Sequence, residues 1–301
     1  MFSVVIPLYN KELSIKNTIQ SVLNQSYQNF EILIINDGSV DGSVDVVKNI
    51  KDERIRLIHQ NNQGVSCARN KGIQEAKYEW IAFLDGDDLW EINHLEEVIK
   101  MMKVHPTEKV YVTSFQYSDQ RKMYKHKRNN SIFKIENYFK EVIKEDLIWT
   151  SIIVVHKSCF KEVGLFNIKF NRGEDLDLWS RLAKKFKIVK SSKITATYRV
   201  DAENRTNLSK NLEKCYYYHL PIDNINQEDE KNYYILFLYN RVWEYLLNRD
   251  YKTAIKLLNK YPSLRIVDFI KFSLNFVYLV FFKKIKKVVF FMKQKLKMGI
   301  K

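Results

Sequence analysis

Short apolar runs alternate with amphipathic stretches along the first third of the chain. Phe2–Pro7 (FSVVIP) reads as a short buried strand, and Phe30–Ile35 (FEILII), Arg54–His59 and Trp80–Leu84 read as further strands. Between the first two, Ile15, Ile19, Val22 and Leu23 fall at helical spacing within Ser14–Leu23, and Val65–Ala76 predicts another helix. Such alternation predicts an α/β fold, a mostly parallel sheet with helices on both faces. Ligands of these sheets bind beyond the carboxyl ends of the strands. Three polar clusters fall there: Tyr9-Asn10, Asp37-Gly38-Ser39 and Asp85-Gly86-Asp87-Asp88.

The pattern dissolves from about Asp119 to Glu145 into charged and polar sequence, which reads as an insertion or a mobile loop. Order returns at 148–155 (IWTSIIVV), another buried-strand candidate. GEDLDLWSRL, 173–182, reads as a helix start whose first-turn acids suit the positive end of the helix dipole. Beyond Ala202 the chain is helical and rich in Tyr, with amphipathic stretches over Asn232–Leu247 and Lys252–Tyr261.

Composition changes this picture in two places. Cys67, Cys159 and Cys215 are odd in number and scattered, which argues against a disulfide framework or a structural zinc site and fits a reducing compartment. MFSVVIPLYN has no basic segment before its apolar run, so it does not read as a secretory signal. The net charge of +15 is local. Thirteen Lys or Arg face a single acid, Asp268, between Tyr251 and Lys301, which leaves the first 250 residues close to neutral.

Asp85-Gly86-Asp87 at a strand end gathers like charges that need a cation. Oxygen-only ligands suit a hard ion such as Mg²⁺ or Mn²⁺, and two carboxylates leave positions open for phosphate oxygens. Gly86 lets the backbone turn tightly enough for both acids to approach one centre. The bland alternative is a solvated turn that caps the next helix through Asp88. Neither GxGxxG nor GxxxxGK[ST] follows the first strand, so the dinucleotide fingerprint and the P-loop both fail.

Five blocks, VVIPLYN, INDGSVDGS, GVSCARNKG, FLDGDDLW and GEDLDLW, occur in the order found in the family 2 glycosyltransferases, and the chain resembles that family. The resemblance is close over 1–115 and looser over 150–200. It implies a GT-A fold, Rossmann-like, with nucleotide-diphosphate-sugar chemistry, a helical C-terminal extension, and roles for particular residues. Tyr9 would stack on the base, Pro7 would shape the strand exit beside Asn10, and Asp37, with Gly38 and Ser39, would bind the base, usually uracil. Arg69 would lie near the diphosphate, Asp85 would contact the ribose, and Asp87 would bind Mn²⁺ or Mg²⁺. Asp175 would be the general base, with Glu174 beside it raising its proton affinity and lying toward the acceptor. Trp179, one turn on, would line an acceptor pocket or pack in the core. The six histidines show no ligand spacing, although one from beyond the sheet could complete a metal shell.

The chain divides on this reading into a GT-A catalytic domain over 1–205, a helical extension over 206–262 and a basic tail over 263–301. Within the first, 1–115 would bind the nucleotide sugar, and 116–205 would bind the acceptor and supply the base. In the tail, only Phe272–Phe282 is apolar without interruption by charge, too short for a span that needs about 20 residues. KKIKKVVFFMKQKLKMGIK carries eight lysines and no acid. It predicts an amphipathic segment on an anionic membrane surface, against a packing helix with a frayed end or a nucleic-acid arm. No nucleic-acid partner is expected, because the aromatics cluster together instead of interleaving with Lys. The implied activity is inverting transfer of a single hexosyl or N-acetylhexosaminyl unit to a lipid-linked glycan of a bacterial surface polysaccharide. Its implied place is the cytoplasmic face of the inner membrane, held peripherally. A nucleotidyltransferase or a non-catalytic membrane adaptor are the alternatives.

Overall fold

The computed structural model describes residues 1–121, 131–204, 209, 211–261 and 264. The tail predicted to meet a membrane therefore lies outside the described residues, Leu264 excepted. Two compact units make up the chain, Met1–His219 and Leu220–Lys301.

The first unit begins as the apolar pattern predicts, with β1 (Phe2–Leu8), α1 (Ile15–Leu23), β2 (Phe30–Asp37), α2 (Ser43–Lys48), β3 (Ile55–Gln60), α3 (Val65–Glu75) and β4 (Trp80–Phe83). These strands run parallel in the order β3-β2-β1-β4. Every residue of β2 is buried, consistent with a strand covered on both faces. Then come β5 (Leu89–Trp90), α4 (His94–Val104), β6 (Val110–Tyr117), β7 (Ile132–Ile135), α5 (Tyr138–Val142), β8 (Ile153–His156), α6 (Cys159–Val163), α7 (Glu174–Lys185) and β9 (Ile188–Tyr198). β8 lies antiparallel between β4 and β6, and β9 runs parallel to β6. Two reversals restore direction, so the carboxyl ends of β1, β2, β4, β6 and β9 share one edge.

Three expectations change. The polar stretch 119–145 contains β7 and α5: Phe133 and Ile135 are buried as β7 pairs antiparallel with β9, an apolar signal too short to stand out among charges. Strand β8 starts only at Ile153, because Thr150–Ile152 forms a turn of 3₁₀ helix. Strand β9, IVKSSKITATY, is long but polar. Its inward groups are satisfied internally: Lys190 donates to the carbonyls of Thr113 and Leu147, Ser191 to Glu97, and Thr195 to Thr113 Oγ1. Buried polar groups with partners cost little, but they erase the hydrophobic period a reader relies on.

Helix α3 crosses β1 at Gly72, where an added Cβ would overlap Val5 Cγ1. We expect Gly72→Ala to lose about 1–3 kcal/mol to overpacking, partly offset by about 1 kcal/mol of helix propensity. A shift in the urea midpoint at unchanged m-value measures it; a stabilised variant would contradict the close approach.

The second unit comprises α8 (Glu228–Leu247) packed on α9 (Tyr251–Lys260), with Leu220 donating its N–H to the Tyr261 hydroxyl at 3.0 Å. Acids Glu228, Asp229 and Glu230 fill the first turn of α8, so the helix starts before the apolar repeat at Asn232. No helix among the described residues is long and apolar enough to cross a membrane.

Candidate active site

The predicted polar clusters meet at the shared carboxyl edge, and Arg69 joins them. Its guanidinium, 4% exposed, leaves α3 to donate to Asp85 Oδ1 at 2.7 Å and Glu174 Oε1 at 2.9 Å. A rigid fork of donors suits a cation shared by two carboxylates. Burial opposes the charge on Arg69, but Asp85 and Glu174 more than reverse this and hold the guanidinium protonated. The Arg69 Nε has no hydrogen-bond partner among the described residues, and Cζ lies 5.3 Å from the Phe166 ring centroid.

Asp175 follows Glu174 into the first turn of α7. Burial, and then the charge of Glu174, push its carboxyl up to about 7, while Arg69 opposes them. One oxygen accepts the N–H of Leu176 at 2.8 Å. A carboxylate poised near neutrality is suited to take a proton. Glu174 is buried and occupied by Arg69, so of its two expected roles it is placed to tune its neighbour rather than to meet an acceptor. Trp179 takes the second of the two places open to it. It is fully buried, with its ring 6.2 Å from Phe83 and 5.8 Å from Phe166, and lines the core rather than a pocket.

The acidic turn after β4 divides its labour. Asp87 is burdened by burial, which raises its proton affinity, and is relieved by Lys11, whose Nζ sits 2.7 Å from Oδ2. Lys11 Nζ also donates to the carbonyls of Glu203 and Asn204, at 2.5 and 3.3 Å. This ammonium supplies the positive charge that the buried Asp87 carboxylate calls for. Asp85 and Asp87 are oxygen donors of the kind a hard divalent ion takes, so the two residues fit such an ion. Among the described residues no group of three or more His, Cys, Asp or Glu side chains gathers to hold one; phosphate oxygens would have to supply the rest. Gly86 is required for a different reason from the one expected: a Cβ there would stand 2.9 Å from the Pro7 carbonyl.

Asp88 caps no helix, since β5 intervenes before α4. Fully buried, it accepts Ser151 Oγ at 2.5 Å and the N–H of Arg199 at 3.1 Å. Burial and its acidic neighbours push its carboxyl well above the usual range. The 3₁₀ turn at Thr150–Ile152 exists to present that hydroxyl, which also accepts the N–H of Asp85 at 3.2 Å. Asp88 thus ties β4, β8 and β9 together behind the site. Sequence reasoning missed this anchor and Lys11; a lone Lys in PLYNKE and a third Asp in DGDD carry no spacing signal.

On the neighbouring strands, Tyr9 is the exposed aromatic of the edge at 37%. Asn10, at φ 51°, donates its N–H to Ser39 Oγ at 3.1 Å and accepts the N–H of Val40 at 2.9 Å, which braces the loops after β1 and β2. Asp37 is buried and accepts from Gln60 Nε2, Gln63 N and Gly64 N, each at 2.8 Å. It shapes the following loop and keeps about one lone pair for a ligand. Gly38 holds φ 74° against the backbone of Asn62.

The chain is similar to known proteins in sequence and in fold. The chain matches the family described as Glycosyl transferase family 2 over residues 3–164. An uncharacterized glycosyltransferase of Rickettsia bellii is 34% identical over 69% of this chain and 30% of its own. The chain spans about a third of the length of its Rickettsia bellii, Rickettsia felis and Rickettsia conorii relatives. In Escherichia coli, UDP-Glc:alpha-D-GlcNAc-diphosphoundecaprenol beta-1,3-glucosyltransferase WfaP is 32% identical over 67% of this chain and 78% of its own. Among solved structures, S. aureus TarS 1-349 in complex with UDP-GlcNAc superposes with a TM-score of 0.67 at 17% identity, covering 90% of this chain and 80% of that one. The likeness to TarS gives the fold, which is GT-A, and the sequence match beyond half of the chain gives the family: this chain belongs to glycosyl transferase family 2.

Proposed function

We propose that the chain transfers a single hexosyl or N-acetylhexosaminyl unit, with inversion at C1, from a nucleotide-diphosphate sugar to a hydroxyl of a lipid-linked glycan. The donor is a UDP-sugar, and the product belongs to a bacterial surface polysaccharide such as an O-antigen, capsule or lipooligosaccharide. One observation carries this reading: Arg69 binds Asp85 and Glu174 at once, at 2.7 and 2.9 Å, and so places the acids of the β4 turn and the base candidate Asp175 about one cation. Relatives support the setting, for WfaP is named for a UDP-glucose donor and a diphosphoundecaprenol acceptor, and Bacillus subtilis TuaG for putative teichuronic acid biosynthesis.

The residues divide the chemistry as follows. Asp175 takes the proton of the acceptor hydroxyl while its oxygen attacks C1, and the C1–O bond to the diphosphate breaks on the opposite side. Arg69 stabilises charge growing on the departing phosphate by charge-assisted hydrogen bonds. Asp87, with Asp85 nearby, would hold Mn²⁺ or Mg²⁺, which would supply Lewis acidity toward the same phosphate. Tyr9 stacks on the base, and Asp37 accepts from it with its remaining lone pair. The lysine-rich tail supports a peripheral position on the cytoplasmic face of an anionic membrane, where each Lys contributes about 1 kcal/mol.

The test is calorimetric titration of UDP and UDP-sugars with and without Mn²⁺. Wild type is expected to bind more tightly with the ion. Asp87→Ala is expected to lose that ion-dependent gain, on the order of tenfold or more for a charged hydrogen-bonding partner. Equal affinities with and without Mn²⁺ in wild type would remove the metal from the reading, and no uridine nucleotide binding at all would remove the donor.

A further inference from the structure

We propose that Lys11 and the segment after β9 form a latch over the donor site, which a divalent ion opens by taking Asp87 from the Lys11 ammonium. The inference rests on the reading in which Asp87 holds such an ion. Lys11 lies in the loop between β1 and α1, and its ammonium has three N–H donors. One goes to Asp87 Oδ2 at 2.7 Å, and the others face the carbonyls of Glu203 and Asn204. A single charge thus joins the acid assigned to the ion with a segment 192 and 193 residues further along the chain.

The same segment holds the loop at two more places. Glu203 Oε1 accepts the N–H groups of Leu13 and Ser14, at 3.1 and 3.0 Å, and Oε2 accepts the Ser14 hydroxyl at 2.5 Å. That carboxylate sits at the N-terminus of α1, where negative charge is favoured. Asn204 Nδ2 donates to the carbonyl of Tyr9 at 3.0 Å, so the latch also reaches the residue proposed to stack on the base. The root of the segment is fixed separately. Arg199 donates its N–H to Asp88 Oδ1 and Val200 to Ser118 Oγ, each at 3.1 Å. The ties at 203 and 204 can therefore break while β9 keeps its place.

The moving part is the Lys11 side chain. Its backbone is pinned, for the N–H donates to Ser43 Oγ at 2.7 Å and the carbonyl accepts from Ser14 and Ile15. A flexible four-carbon stem lets the ammonium swing. Charge requires that it do so. An ion about 2.1 Å from Asp87 Oδ2 would stand no more than about 5 Å from an ammonium 2.7 Å from the same oxygen, and like charges at that range repel. Ion binding and latch closure are antagonists at one carboxylate. Linkage makes the antagonism reciprocal: whatever loosens the latch strengthens the ion.

Mn²⁺ titration of the full chain without nucleotide, read by the spin resonance of free Mn²⁺, tests this. Lys11→Met is expected to bind the ion on the order of tenfold more tightly than wild type, because a charge-assisted hydrogen bond no longer competes for Asp87. Glu203→Gln leaves Lys11 in place, loosens the latch from its other end, and is expected to gain a smaller factor. Hydrogen exchange followed by mass spectrometry gives a second readout. Mn²⁺ is expected to speed exchange of the Leu13 and Ser14 amides in wild type and to leave it unchanged in Lys11→Met. Mn²⁺ affinity at or below that of wild type in either folded variant, or no response of those amides to the ion, would make Lys11 and Glu203 plain structural contacts. That result overturns the latch and leaves the donor reading standing. If neither wild type nor Lys11→Met takes up Mn²⁺, with or without UDP, Asp87 holds no ion, and the metal falls from the proposed function together with the latch.

Discussion

Asp175→Asn is expected to bind UDP-sugar as wild type does and to lose turnover by a factor of about 10²–10⁴, the usual contribution of a positioned general base. The amide keeps the shape of the side chain and its hydrogen bond from Leu176, and it removes only the capacity to take a proton. The loss should therefore appear in kcat with little change in donor affinity. The wild-type pH profile supplies an independent check on the same group. Burial and the Glu174 charge put the Asp175 carboxyl at about 7, against the pull of Arg69 and with Asp85 adding to the rise. Only the ionised form can act as base, so kcat/KM is fully present above that value and falls about tenfold per unit below it. Turnover of the Asn variant within a few fold of wild type would take the base role away from Asp175.

Much of this arrangement could be read from sequence because the donor half is built from apolar strands that end in polar turns. FSVVIP, FEILII and the run before DGDD are covered on both faces, and such strands announce themselves. Asp85, Asp87, Arg69 and Asp175 were named from blocks whose order matches the family, and the structure brings Arg69, Asp85 and Glu174 into direct contact with Asp175 beside them. The acceptor half hides for a physical reason. Strand β9 pairs buried Lys190, Ser191 and Thr195 with partners that are distant in sequence, so its inward face has no hydrophobic period. Asp88 looked like one more member of an acidic cluster, yet its role depends on Ser151 and Arg199, 63 and 111 residues away. Lys11 could not be identified as the partner of Asp87 without knowing that β1 and β4 are neighbours. Trp179 could not be assigned from spacing alone: one turn beyond the base it could face a pocket or the core, and the helix face it occupies turns inward.

Arg69→Met is expected to cost the most stability of any change at the site, about 3–5 kcal/mol, because it removes a buried cation and leaves its carboxylates behind. Met matches the apolar stem in volume, so the loss reports charge rather than packing. Asp85 and Glu174 lose their shared partner, and the field of Arg69 no longer opposes the rise in Asp175. Arg69→Lys recovers only part of this, since one ammonium cannot reproduce a fork that reaches two carboxylates in different directions. Two measurements separate this account from a general loss of packing. Adding Glu174→Gln to Arg69→Met removes one of the stranded charges and should restore stability, which gives a coupling of about 1 kcal/mol or more in a double-mutant cycle. The pH dependence has a definite sign. Unpaired buried carboxylates have folded-state values above their unfolded ones, so their folded state is favoured below the unfolded value and loses that advantage as pH rises through the folded one. The deficit of Arg69→Met against wild type should therefore shrink when urea unfolding is repeated at pH 5 instead of pH 8. A deficit that is equal at both values, with no recovery from Glu174→Gln, would mean that Arg69 supports the fold by its stem, and that the charge cluster around it does not hold the site together.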